Sequence, residues 1–218
     1  MFRLALVASL AGCMSPSSST AEIEAQLSAD LRDDALTVTL LLHGPDDFDG
    51  VPYHLESGET LRAAFEGHSV PLVFANDDGL FAIYSATITP DSDVAADEPI
   101  VVTFDRGGDA VTLTATTTAD FALQAPATSA QPVTVTWSPT AADRIHWDSK
   151  SSSVPSADGA IETDTGAIMF PPGVLTQQPP ETVTIDVARS RSSAPRAPFA
   201  KTSIVFNRWH TAMVEVTP

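Results

Sequence analysis

Cysteine is all but missing from this sequence. Cys13 is the only one in 218 residues, so no disulfide can close within one chain and stability has to come from apolar cores. Cations are scarce as well: 11 Lys and Arg stand against 28 Asp and Glu, a formal net charge of −17. Such a surface repels nucleic acid and anionic headgroups, which sets nucleic-acid binding aside. Paired histidines are lacking. His43, His54, His68, His146 and His210 are scattered singly, without the three- or four-residue spacing that puts two zinc ligands on one helix face. Gly67-His68-Ser69-Val70-Pro71 begins like a nucleophile elbow, but Pro71 stands where the closing glycine belongs and no strand-turn-helix context surrounds it. Ser69 therefore reads as a turn residue, and the chain as non-catalytic. Helical periodicity is nearly absent too, which leaves strands as the material of the fold.

The amino terminus has a different character. Met-Phe-Arg precedes an apolar run over residues 4–10, then Ala11-Gly12 and Cys13: a charged n-region, an h-region and small residues at a cleavage site. The run falls far short of the roughly 18 residues of a spanning helix. Leu10-Ala11-Gly12-Cys13 resembles the lipobox of bacterial lipoproteins. That resemblance implies a diacylglycerol on the Cys13 thiol, loss of residues 1–12 and acylation, by palmitate or a similar chain, of the new amino terminus. Met14 stands where an aspartate commonly retains members of this family at the inner membrane, so the resemblance also implies outer-membrane sorting. Ser15-Pro16-Ser17-Ser18-Ser19-Thr20 follows as a flexible tether.

The body from residue 22 onward is read as all-β: two antiparallel β-sandwich domains in tandem, residues 22–118 and 119–218. Period-two alternation places Leu36, Val38, Leu40 and Leu42 on one strand face, with Thr37 and Thr39 opposite. Leu80, Ala82, Tyr84, Ala86 and Ile88 repeat the pattern, as do Ile100, Val102 and Phe104, and Val111 and Leu113. Gly44-Pro45-Asp46-Asp47, Ser57-Gly58, Asn76-Asp77-Asp78-Gly79 and Arg106-Gly107-Gly108-Asp109 supply turn chemistry. Six to eight strands fit between residues 22 and 118, a count and spacing that suit an immunoglobulin-like sandwich.

In the second half, Phe121 to Ala125 is expected as a first strand and Val133 to Trp137 as a second. Ile145-His146-Trp147 makes a third, Ile161 to Phe170 a hairpin about Asp164-Thr165-Gly166, Val183 to Arg189 a later strand, and Ser203 to Thr217 one or two closing strands. The Trp137 strand resembles the second strand of fibronectin type III domains, although the tyrosine expected ahead of the later strand is missing. Ser151-Ser152-Ser153 reads as linker, and the prolines at 171, 172, 179 and 180 bracket a loop that cannot sit inside a sheet.

The charge is distributed unevenly. Residues 22–118 carry 19 acidic and 3 basic side chains, net −16, whereas residues 119–218 carry 9 and 7, net −2. Arg189, Arg191, Arg196, Lys201 and Arg208 fall in a stretch without acids from Val187 to Val214. Two readings stand: solvated loop arginines, or a basic patch, with Trp209 beside it, facing anionic sugars, lipid phosphates or the acidic neighbouring domain. Asp46, Asp47 and Asp49, with Asp91 and Asp93, serve turn geometry or offer hard oxygen ligands for calcium, without EF-hand spacing. Trp137, Trp147 and Trp209 offer an aromatic platform for a carbohydrate ring or serve as core; Trp137 shares a face with Val133 and Val135, and Trp209 is the tryptophan best placed for exposure. The functional expectation is a membrane-anchored binding, adhesion or envelope-assembly module whose partners are the bilayer, through Cys13, and an envelope protein or glycan. An accessory subunit, a hydrolase with a loop-borne site between the domains and a calcium-dependent glycan binder stand as alternatives.

Overall fold

A computed structural model describes residues 19–44, 51–140, 143–176, 179–194 and 198–217. The fold is an all-β sandwich. A single 3-10 turn, Thr20–Glu22, leads into β1 (Glu24–Arg32), β2 (Ala35–His43), β3 (Glu59–Phe65), β4 (His68–Pro71) and β5 (Val73–Asp77). The chain continues with β6 (Ala82–Ile88), β7 (Pro99–Arg106), β8 (Asp109–Thr116), β9 (Thr128–Ala130) and β10 (Val133–Thr136). It closes with β11 (Arg144–Lys150), β12 (Ala157–Ile161), β13 (Ala167–Phe170), β14 (Glu181–Ser193) and β15 (Lys201–Thr217).

Alternation in sequence becomes alternation in burial. In β1, Ala25, Leu27, Ala29 and Leu31 turn inward, and in β2 Leu36, Val38, Leu40 and Leu42 do the same. Ile100, Val102 and Phe104 of β7 meet them from the facing sheet. Gly107 and Gly108, both at positive φ, close the β7–β8 hairpin in the backbone region that a two-residue connection demands. The β1–β2 hairpin uses Asp33 and Asp34 there instead, at φ 48° and 63°.

One sheet runs through the whole molecule. It has nine strands, in the order β12-β11-β14-β15-β1-β2-β6-β5, with β9 on the far end of β15. A four-stranded sheet, β4-β3-β7-β8, packs over the β1, β2 and β6 region, and a two-stranded sheet, β10-β13, packs over the β11 and β14 region. Two apolar cores result, one from Ile23 to Phe206 and one from Phe121 to Val216. The spine is β15: over Lys201 to Arg208 it runs parallel to β1, and over Glu215 to Thr217 parallel to β9, while β14 follows it antiparallel for 13 residue pairs.

Several expectations change in detail. Ser203 to Thr217 forms one unbroken strand, and its first half, with Phe199, fills the core built by residues 23–115. The halves separated at residue 118 thus share a strand as well as a sheet. Ile161 to Phe170 is no hairpin, because β12 pairs with β11 whereas β13 crosses to pair with β10. Phe121 to Ala125 supplies one bridge, Gln124 to Thr136, in place of a strand, and Leu80 is exposed.

The serine run after β11 also has a defined role. Glu181 Oε1 accepts from the Ser152 amide at 2.5 Å and hydroxyl at 2.7 Å, while Oε2 accepts from the Ser153 hydroxyl and from Thr176 Oγ1 at 2.5 Å. The Ser153, Thr176 and Ser152 hydroxyls hold the Glu181 carboxyl down at about 2, below its ordinary 4.5. A depressed folded-state pKa adds stability that is present above about 4.5 and is lost as pH falls through about 2. Glu181→Gln is therefore expected to lower the urea midpoint near neutral pH, with the gap to wild type closing through that acid window. A gap independent of pH would contradict this.

Candidate functional site

Three arginines of the acid-free stretch, Arg189, Arg191 and Arg208, lie at the seam between the two cores. Arg189 and Arg208 are register partners on β14 and β15, on the inward face, where the apolar alternation is interrupted. Arg189 is 1 % exposed. Its Nη1 donates to the Ala119 and Asp120 carbonyls, its Nη2 donates to the Ser138 carbonyl and to Asp164 Oδ2, and its guanidinium lies 4.7 Å from the Phe121 ring centroid. Asp164 in turn accepts from Trp137 Nε1 at 2.6 Å, from the Thr140 amide at 2.9 Å and from the Gly166 amide at 3.0 Å.

The other two arginines reach toward the acidic half. Arg208 donates to the Val94 carbonyl at 2.6 Å and pairs with Asp120 at 3.4 Å, and burial pulls its pKa below the usual arginine value. Burial works to raise the Asp120 carboxyl, but the His210 hydrogen bond at 2.9 Å, the Phe121 amide and nearby positive charge carry it below its ordinary value. Arg191 bridges Asp143 at 2.9 Å and Asp97 at 2.5 Å, and also donates to the Thr117 carbonyl.

Arg189, Arg191 and Arg208 thus present no exposed basic patch. They satisfy backbone carbonyls and carboxylates where two apolar cores meet, because a buried guanidinium is tolerated only with such partners. Arg191 and Arg208 make contact with the acidic neighbouring half, through Asp97, Thr117 and Val94, whereas every partner of Arg189 lies in its own half. Lys201 is separate, exposed and 3.6 Å from Glu24. Arg196 lies outside the described residues, as do Cys13, Asp46, Asp47 and Asp49.

Of the remaining calcium candidates, Asp91 is exposed and bound to His68 Nε2 at 2.9 Å. Asp93 lines a hollow of about 500 Å³ with Asp33, Asp34, Asp120 and Arg208. Among the described residues no group of three or more His, Cys, Asp or Glu is placed to hold a metal ion. No helix among them is long and apolar enough to cross a membrane.

The larger cleft lies on the sheet face away from the cores, and sequence reading did not single it out. It encloses about 870 Å³ and is lined from β12, β11, β15, β1 and β2, five of six successive strands. At the roughly 4.8 Å spacing of neighbouring strands, those six span on the order of 24 Å. Gln26, Ser28, Ser203 and Asn207 contribute short polar side chains, and Trp209 contributes an indole.

No family model and no curated protein matches this chain. The chemistry of the cleft is accordingly read from its own residues. Trp209 is half-buried: its Nε1 donates to Asp30 Oδ1 at 3.1 Å, and the Arg32 guanidinium sits 4.9 Å from the ring centroid. Arg32 continues across β15 to Asp186 on β14 at 3.2 Å, where Thr211 and Lys150 also bind the carboxylate. Asn207 ties β15 to both neighbours, donating to Asp30 at 2.9 Å and accepting from Ser190 Oγ at 2.6 Å.

The structure therefore bears out a partly exposed Trp209 and a buried Trp137, and Trp147, the register partner of Val187, packs edge-on against Phe170 at 5.0 Å on the second core. Gly159 allows that placement, since a Cβ there would meet Trp147 Nε1 at 2.7 Å. The polar alternation at residues 26, 28 and 30 and again at 203 and 207 was visible in the sequence. What it could not show is that β1 and β15 lie side by side, because the two strands are separated by more than 160 residues of chain.

Proposed function

We propose that this chain is an exported, lipid-anchored, non-catalytic binding protein, held at the bacterial envelope through Cys13 and engaging its partner through the open face of the nine-stranded sheet. The observation that carries the binding reading is the cleft. A sheet face that merely met solvent would carry separate polar side chains, whereas here Asp186 and Ser190 are buried on the face away from the cores beneath a network from three neighbouring strands. A preorganised, concave polar surface with an indole at its wall is the usual form of a small-molecule or oligomer site.

The anchor reading draws support from the lipobox and from the local fold. Arg106 Nη1 donates to Thr20 Oγ1 at 3.1 Å and the Ala200 amide donates to the Ile23 carbonyl at 2.9 Å. Chain entry is thereby fixed to one end of the first core. Cys13 and Ser19 are six positions apart, at most about 22 Å of chain, so acylation would hold the body close to the bilayer. Cys13→Ser is expected to abolish labelling by radioactive palmitate and to move the protein into the soluble fraction. Persistent labelling would refute the anchor.

A further inference from the structure

The residues lining the cleft limit what it can hold. They include Asp148 and Asp158 and no lysine or arginine. The cations on the same face are each ion-paired: Arg32 with Asp186, Lys150 with Asp186 and Asp148, Lys201 with Glu24 and Arg144 with Glu162. Lys150 offsets Asp148 at 3.4 Å, but an anionic ligand would still meet the exposed carboxylate of Asp158, on a chain whose net charge is −17. A purely apolar ligand would strip water from Ser28, Ser203, Gln26 and Asn207 and return no hydrogen bonds. The polar groups suit a chain of hydroxyls, because hydroxyl, amide and carboxylate side chains between them both donate and accept. Trp209 adds apolar ring surface, the complement of a sugar's C–H face. With six strands' width available, the fitting length is an oligomer.

From this we infer that the cleft binds a glycan bearing no negative charge, a neutral or amino-substituted oligosaccharide. The inference rests on the open-sheet binding face proposed above and names its ligand class. Ser203 is the position that tests it. It lines the cleft, it is exposed, and its β1 neighbour is Gln26, so a tyrosine there fills the cleft without entering either core.

The experiment presents soluble residues 19–218 to an array of neutral, amino-substituted and uronic-acid oligosaccharides, and then titrates the strongest binder by calorimetry. Neutral or amino-substituted glycans are expected to bind and uronic-acid glycans to fail. Ser203→Tyr is expected to weaken binding by at least about tenfold with the thermal midpoint unchanged. Absence of glycan binding by the wild type, preference for uronic acids, or equal binding by Ser203→Tyr would each overturn the inference. Loss of an envelope protein partner in Ser203→Tyr, with no glycan bound by the wild type, would overturn the glycan and leave the binding face standing. Palmitate labelling reports the anchor independently of all these outcomes.

Discussion

A chain cut after residue 118 is expected not to fold, even though it contains eight of the strands and most of one core. The reason lies in β15. Phe199, Ile204 and Phe206 are 7 %, 2 % and 0 % exposed within the first core, and Phe199 stacks on Phe104 with ring centroids 6.2 Å apart. Fully burying an apolar side chain of this size stabilises by about 1.5–3 kcal/mol, so removing three forfeits about 5–9 kcal/mol. A single domain is typically stable by about 5–15 kcal/mol in all. The cut also strips β1 of its parallel partner from Glu24 to Leu31, leaving a central strand as an unpaired edge. Far-UV circular dichroism and urea titration of residues 19–118 should show no cooperative transition. A transition with the midpoint of the intact protein would show that the shared strand is dispensable.

Asp164→Ala is expected to be the most damaging single substitution outside the apolar cores. It removes the acceptor of Trp137 Nε1 and of two backbone amides, and it strands Arg189, whose side chain is 1 % exposed. Breaking a buried pair from one side costs about 3–5 kcal/mol, because the remaining charge stays desolvated. For a chain of this length that corresponds to a fall in thermal midpoint of roughly 10 °C or more. Replacing both partners with apolar side chains of similar volume, as in Asp164→Leu with Arg189→Met, should recover part of the loss, since no charge is then left unpaired. Calorimetry on the single and double variants decides it. A double variant no more stable than Asp164→Ala would mean that the Trp137 and backbone hydrogen bonds, more than the ion pair, hold this corner together.

Both results turn on β14 and β15, and the reason is physical. Alternation is a local property: Leu36 to Leu42, Ile100 to Phe104 and Val183 to Val187 carry their buried faces in their own spacing, and the structure buries them accordingly. The turn at Gly107-Gly108 was equally legible, because only certain residues adopt its backbone at low cost. Charge was legible as an inventory and illegible as a map. Arg189, Arg191 and Arg208 stand among serines with no acidic neighbour in sequence, yet Asp164, Asp97 and Asp120 lie 25, 94 and 88 positions away and reach them through the sheet.

The sequence by itself determined the class of this protein: strands with one dry face, a core that needs no disulfide and a strongly acidic first half. Tertiary structure alone decided that one long strand would serve two cores, that Arg189, Arg191 and Arg208 would be spent on the seam between them, and that residues 26–28 and 203–209 would meet in one cleft. Period and turn chemistry act over a few residues and can be read along the chain. Strand pairing is fixed by which distant segments bury their faces together, and a free-energy minimum shared by the whole chain is not written in any one window of it.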